Sequence, residues 1–438
     1  MKRLSTREKV IYGVGAFGYG AVNQTFGNFL MFFGTAFLGL PGTLVGLAIS
    51  VSTVWDAVTD PIVGTMSDNS SGGKLGKRQS FMLVGCIFIA IINVAIWSIP
   101  TGWNEPIKFF ALLFTLLAVE TFNTVYSTPY SALGIDMAKH YDDRTAVQSY
   151  KTAFQFLSLL VPSVLIMLGY IWVSVATSML CVITGLITIF GTQGHKIVGV
   201  PLHTKFSLKN TWANFIAVAK LKNVGFLMLA YTISLLCGAV ITSLGMHTFT
   251  YSFHFSPLQI PIIMGSLIVG IVVGQPLWCK ISQRIDKKNT VLAAIVVVLV
   301  GMVLFSALLA VRSFVPRVVL LLLVSVTIII TSCGIGCLYT LPISMFADCI
   351  YLTDANGDNT ATAMGFLTLC TKISNAVIMF VVGVVLDFIG FVGGGVTQTP
   401  FVSNALGTVL VVGVVISCVV SWFFYSKYDY TKETFAKN

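Results

Sequence analysis

Long apolar runs, broken only by short clusters of Gly, Pro, Asn, Asp and Lys, fill the chain from about residue 10 to residue 426. A helix needs about 20 apolar residues to cross a hydrocarbon core about 30 Å thick, so each run reads as a membrane-spanning helix. The breakers divide the first half into spans near 10–38, 44–67, 80–100, 107–134, 147–169 and 171–193. The second half repeats the count, with spans near 223–252, 258–281, 290–311, 317–347, 362–390 and 403–426. The pattern predicts an all-α membrane protein of twelve transmembrane helices in two six-helix bundles: 1–193, a connector over 194–222, 223–426, and a tail over 427–438. Within the connector, Phe206–Ala219 reads either as a tether or as an amphipathic helix lying on the membrane.

Composition agrees with the pattern. The chain is 56% hydrophobic and 10% charged, with a mean hydropathy of +0.90, which excludes a soluble enzyme, a nucleic-acid reader and a secreted module. Lys and Arg number 26 against 16 Asp and Glu. With a cytoplasmic amino terminus, 22 of those 26 basic residues fall on the cytoplasmic side, the exceptions being Lys108, Arg312, Arg317 and Lys372. That asymmetry predicts cytoplasmic termini and a multi-pass protein of the plasma membrane, a bacterial inner membrane, and it explains the net +10 without a nucleic-acid partner. The nine cysteines are odd in number and sit mostly in apolar runs, so no disulfide framework is expected. The basic start MKRLSTREK is followed by too long an apolar stretch for a signal peptide, so the first span is expected to be retained.

An ionisable side chain at the centre of a span costs about 2.5–3.5 kcal/mol, so each one marks a candidate functional group. Four qualify: Asp56 and Asp60 in span 2, Glu120 in span 4 and Lys372 in span 11. Asp56 and Asp60 are four apart and share a helix face. Two carboxylates so placed repel unless a cation sits between them, with Thr59 and Thr124 at hand as oxygen ligands, or unless one keeps its proton. Na⁺ and H⁺ both satisfy that reading, and interhelical pairing is the structural alternative. Lys372, about ten residues inside its span, calls for a partner, for which Asp56 or Asp60 is the natural choice. Glu120 reads as a member of the same network or as a protonated packing residue.

Loop 2–3 (GTMSDNSSGGKLGKRQS) and loop 8–9 (KISQRIDKKNT) each place an acid, Asp68 or Asp286, near a basic pair. They resemble the loop signature of the major facilitator superfamily, whose two six-helix bundles hold a site near the bilayer midplane. Tyr12 to Gly18 (YGVGAFG), Trp55 to Pro61 (WDAVTDP) followed by Gly64, Thr128 to Leu133 (TPYSAL), and Pro342 to Asp348 (PISMFAD) followed by Lys372 narrow this further. Together they resemble the glycoside–pentoside–hexuronide:cation symporter family, the melibiose permease-like branch of that superfamily.

The resemblance implies a cation site of Asp56, Thr59, Asp60 and Thr124, where melibiose-transporting members carry Asn in place of Thr59. It likewise implies a substrate site. Lys372 matches the family's helix-11 lysine, Lys151 stands where many members have arginine, and Thr368 lies one turn before the lysine. The two sugar-binding aspartates of melibiose-transporting members are replaced by Gly20 and Ser127, and their two tryptophans by Ser131 and Tyr339. Loss of those carboxylates argues against a melibiose-like galactoside, and the retained Lys151 and Lys372 favour an anionic sugar such as a uronide. Trp55, Tyr126, Tyr130 and Tyr339 are candidate stacking surfaces for a sugar ring, and Glu120 completes the substrate set.

The expected function is cation-coupled symport, with Na⁺ or H⁺, of a small polar substrate such as a sugar, glycoside or uronide, by alternating access. The expected partners are that substrate, a monovalent cation and the lipid bilayer; the chain is expected to be monomeric, without a cofactor beyond the coupling ion and without enzymatic activity. The run VETFNTVYSTPYSAL also resembles the sodium-dependent lysophospholipid branch, which makes an amphiphile the second reading. A passive uniporter or a sensor on the same scaffold is the third. Other motifs fail their context. Gly13-x-Gly15-x-x-Gly18 fits a dinucleotide fingerprint but lies in a span with no strand before it, so close helix packing explains it better. Asp354 to Asp358 imitates a calcium loop but has Gly365 where a bidentate glutamate is required.

Overall fold

The computed structural model describes residues 3–138, 141–196, 222–353, 360–394 and 397–428. The amphipathic stretch expected over 206–219, the turn at 354–358 and most of the tail lie outside the described residues. Twelve long helices follow in chain order: α1 Thr6–Phe32, α2 Gly42–Asp68, α3 Lys77–Trp97, α4 Glu105–Met137, α5 Tyr141–Leu157 with a continuation Leu160–Leu165, and α6 Tyr170–Gly191. After the connector come α7 Lys222–His247, α8 Ile260–Ile285, α9 Lys287–Val311, α10 Arg317–Thr353, α11 Thr360–Phe388 and α12 Pro400–Ser426. Several helices outrun the apolar windows expected for them, because a helix continues in water once its ends are satisfied. α3 and α9 begin at the basic residues Lys77 and Lys287 rather than at 80 and 290, and α10 runs to Thr353 rather than 347.

Among the described residues, eleven helices are long and apolar enough to cross a membrane. The protein is a multi-pass integral membrane protein. α1 falls short on apolarity, not on length, since Tyr19, Asn23, Gln24 and Asn28 interrupt its run. That polarity is the first sign that α1 carries more than packing.

The chain divides into two compact units, Met1–Phe206 and Ser207–Asn438. Within the first, α1 packs on α5 and α6, α4 on α2 and α3, and α3 on α6. Within the second, α7 packs on α11 and α12, α10 on α8 and α9, and α9 on α12, the same neighbours six helices later. The copies share a finer mark: α1 ends in a π-helical turn, Phe33–Phe37, and α7 ends in another, Thr248–Ser252. A repeat legible in sequence as a count of spans and a pair of similar loops is thus a repeat of helix neighbours in space.

Small residues bring these helices close, since apolar lipid offers helices no hydrophobic gain on association. A Cβ on Gly13 would stand 2.7 Å from the Phe154 ring of α5, one on Gly15 2.7 Å from Thr188 Oγ1, and one on Gly18 2.6 Å from Cys181 Cα of α6. The glycine-rich start of α1 is therefore a packing surface.

Ion pairs gather where the basic loops meet the helix ends. Arg78 bonds Asp68 (2.7 Å), Asp136 at the end of α4 (3.1 Å) and the Ser67 hydroxyl (2.9 Å). In the second unit Lys287 pairs with Asp348 of α10, not with the neighbouring Asp286, whose carboxylate instead accepts the Lys287 backbone N–H and caps α9. α1 is tied down at its first turn: Ser5 and Glu8 form a capping box, Glu8 meets His195 at 2.9 Å, and Lys9 meets Asp143 of α5 at 2.7 Å. Hydrogen bonds from Ser5, and then from His195, hold the Glu8 carboxyl down to about 2.

Two outcomes follow from this packing. Gly18→Val should lower unfolding stability by about 1–3 kcal/mol through overpacking, whereas Gly27→Ala, with nothing within 4 Å of its Cβ position, should raise it by up to about 1 kcal/mol; thermal unfolding in micelles separates them. The depressed Glu8 pKa contributes stability at neutral pH that is lost as pH falls from the ordinary 4.5 through about 2. Glu8→Gln should flatten the acid limb of a stability–pH profile in that window.

Candidate functional site

Polar groups inside α2 find their partners on α4. Thr124 Oγ1 donates to Asp56 Oδ1 at 2.7 Å and lies 3.3 Å from Thr59 Oγ1, which itself donates to the Asp56 carbonyl at 3.1 Å. One turn along, Thr128 Oγ1 reaches Asp60 Oδ1 at 3.4 Å. One turn the other way, Trp55 Nε1 donates to Thr121 Oγ1 at 2.8 Å. Thr121, Thr124 and Thr128 lie at i, i+3 and i+7, one stripe of α4, and Trp55, Asp56, Thr59 and Asp60 answer it from α2. Thr59 and Thr124 are buried, while both aspartates are half-buried. Pro61 follows Asp60 inside the helix and removes one backbone donor there, which frees a carbonyl one turn back.

The chemistry of this donor set is narrow. Two carboxylates with hydroxyl and carbonyl oxygens around them suit a small hard cation or a proton, not a soft transition metal. Among the described residues no group of three or more His, Cys, Asp or Glu is placed to hold a metal.

A second polar stripe runs along α4 one residue round from the first: Glu120, Asn123, Ser127 and Ser131 at i, i+3, i+7 and i+11. Its partners are on α1 and α5. Asn123 Nδ2 donates to Asn23 Oδ1 of α1 at 2.8 Å and to Glu120 Oε2 at 3.2 Å, and Asn23 Nδ2 donates back to Asn123 Oδ1 at 3.4 Å. Tyr19 of α1 stacks on Tyr126, with ring centroids 5.3 Å apart. Lys151 Nζ of α5 donates to Ser131 Oγ at 3.0 Å and lies 5.3 Å from the centroid of the Tyr130 ring. One helix therefore presents a threonine stripe to the acids and a mixed polar stripe to two other helices.

Other expected site residues do different work. Tyr126 and Tyr130 are 0% and 1% exposed. Their hydroxyls donate to the carbonyls of Gly15 (3.0 Å) and Tyr12 (2.8 Å), and Tyr130 stacks between Tyr12 at 4.6 Å and Tyr126 at 5.6 Å. With ring faces and hydroxyls so occupied, they seat α4 on α1 and offer no open face to a sugar. Gly20 is buried against Ser158 of α5, which makes it a close-approach glycine. Trp55 keeps 44% of its surface exposed, and Tyr339 of α10 keeps 40%, with its hydroxyl against Gly238 of α7. Thr368 is exposed and Lys372 half-buried on α11 of the second unit. Tyr19, Asn23, Thr121, Asn123 and Thr128 carry no charge, so a reading of mid-span ionisable groups does not mark them. The signal was present, since an amide in mid-span is also expensive and needs a partner.

The profile of the family described as MFS/sugar transport protein matches residues 11–432, and the chain belongs to that family, one of transporters and not of enzymes. The uncharacterized symporter YjmB of Bacillus subtilis is 31% identical over 170 residues, 38% of this chain and 36% of that protein. The sodium-dependent lysophosphatidylcholine symporter 1 of Xenopus tropicalis is 27% identical over 155 residues, 35% of this chain and 29% of that one. The chain thus spans about a third of the length of the curated relatives it matches. Among solved structures, the nucleoside transporter NupG superposes with a TM-score of 0.65 at 14% identity, over 97% of this chain and 100% of that one. At that identity the likeness is one of fold.

Thr124→Val keeps the volume of the side chain and removes the donor to Asp56. Leaving that carboxylate oxygen without its hydroxyl should cost about 1–3 kcal/mol of stability, and Thr124→Ser should restore most of it; thermal unfolding of the two variants checks both.

Proposed function

We propose that this chain is a secondary active symporter in which a monovalent cation, Na⁺ or H⁺, held at Asp56, Thr59, Asp60 and Thr124, drives uptake of a small polar solute. The observation that carries the reading is the Asp56–Thr124–Thr59 cluster, an acid kept inside a membrane-spanning helix pair with oxygen ligands on both helices. Two carboxylates one turn apart repel when both are charged, and a cation or a shared proton removes that repulsion. Binding would draw α2 against α4, and whatever closes those helices also alters the other polar stripe of α4. Reciprocity then requires substrate to tighten cation binding by the same factor.

The substrate site of this reading lies along Glu120, Ser127, Ser131 and Lys151 in the first unit. Hydroxyl groups with one acid and one lysine suit a sugar, a glycoside or a uronide. The likeness to a protein named for sodium-dependent lysophosphatidylcholine symport supports the second reading, an amphiphile whose polar head occupies the same groups. A cytoplasmic location of both termini follows from the 22 basic residues on one side, and it is part of the proposal.

Proteoliposomes with and without an imposed Na⁺ or proton gradient test the coupling, using a panel of labelled neutral sugars, uronates and lysolipids. Accumulation above the external concentration is expected for one class, and equilibration alone under every gradient would overturn symport. Asp60→Asn should insert normally and abolish accumulation; wild-type accumulation by that variant would remove the cation assignment.

A further inference from the structure

We propose that the paired amides of Asn23 and Asn123 are positioning residues that carry occupancy of the cation site from α2 and α4 to α1. The inference rests on the cation reading above and adds a route by which the ion acts at a distance. Asn123 is the residue next to Thr124, whose hydroxyl is committed to Asp56. A hydroxyl that donates to a carboxylate keeps both lone pairs, so a cation drawn to Asp56 is also ligated by Thr124 and pulls on the α4 backbone that carries it. Asn123 shares that backbone and reaches the opposite way.

The hydrogen-bond count makes the pair a clamp. Each amide has two N–H donors. Those of Asn123 go to Asn23 Oδ1 and Glu120 Oε2, and those of Asn23 go to Asn123 Oδ1 and the Tyr19 carbonyl at 3.1 Å. Every amide proton is spent inside the network, and both amides bond each other in both directions. Both amides are part-buried with their donors so committed, and displacement of α4 must be followed by α1 or must break the pair. Further ties between the two helices, Tyr126 to Gly15, Tyr130 to Tyr12 and back, and Tyr19 on Tyr126, are tyrosine contacts rather than bonds to the acids. α1 also bears Tyr19, whose ring stacks on Tyr126 of α4, the neighbour of Ser127 in the polar stripe that the functional reading gives to substrate. Through the clamp, the ion sets the geometry of that stripe.

Hydrogen–deuterium exchange on the full chain in lipid nanodiscs tests this, in NaCl against choline chloride at matched ionic strength. Asp56→Asn supplies the neutralised carboxylate that proton binding would produce. In the wild type, Na⁺ or the neutralised carboxylate should slow exchange both in α2 around residues 52–64 and in α1 around residues 17–29. Asn123→Ala and Asn23→Ala should keep the response in α2 and cut the response in α1 about fivefold or more. Asn28→Ala, which removes a bond confined to α1, should leave both responses unchanged. A purely structural role for the amides would raise α1 exchange equally in every condition and leave the ion-dependent difference intact, which would overturn the proposal. Absence of any wild-type response in α2 would instead remove the cation reading on which it rests.

Discussion

Everything in this protein is arranged around the cost of a polar group in oil. Water does not reach the interior of a span, so each acid, amide and hydroxyl must find a partner on its own or a neighbouring helix. Asp56 and Asp60 meet that constraint through the threonines of α4. Asn23, Asn123 and Glu120 meet it through one another. Because α4 carries both sets on adjacent stripes, neither can be altered without the other feeling it. In the proposed symport, coupling between ion and solute would follow from the way this single helix is satisfied.

The scaffold beneath is a repeat, and the repeat shows what was changed for the task. Helix neighbours recur from the first unit to the second, together with the π-turn at the end of α1 and α7. α2 carries Asp60 before Pro61 inside the helix, and α8 carries Gln275 before Pro276. The proline survives in both copies as a local loosening of the helix, while the charge survives in one. Gln275 Nε2 is buried without a partner among the described residues, where Asp60 has a threonine within reach. The first unit holds the acids of the proposed cation site, and the second repeats its frame in neutral form.

The departures from the melibiose-transporting pattern also have a physical account. Where that pattern has a carboxylate, this chain has Gly20, and the space is taken by Ser158 of α5. A carboxylate there would have to displace the close contact of α1 on α5, so the loss is a matter of packing as well as of recognition. The polar groups present here form the Glu120–Asn123–Ser127–Ser131 stripe, and Lys151 bonds Ser131 and lies over the ring of Tyr130. Family membership fixes the fold and the kind of protein, while the substrate depends on side chains in which this chain differs.

Some of this was legible in the sequence alone. Apolar run lengths set the twelve helices, since the thickness of a bilayer permits little else, and the spacing of Asp56 and Asp60 put both on one face. Mid-span ionisable groups marked α2, α4 and α11, because charge in hydrocarbon is rare without a use. What tertiary structure decided was the pairing of faces. Tyr126 and Tyr130 read as ligand surfaces and proved to be packed against α1, because a one-dimensional pattern does not say which side of a helix meets a neighbour. Asp286 stood beside Lys287 in sequence yet caps α9, while Asp348 from another helix takes the lysine. The amide clamp joins residues a hundred positions apart, and only the side-by-side placement of α1 and α4 brings them together.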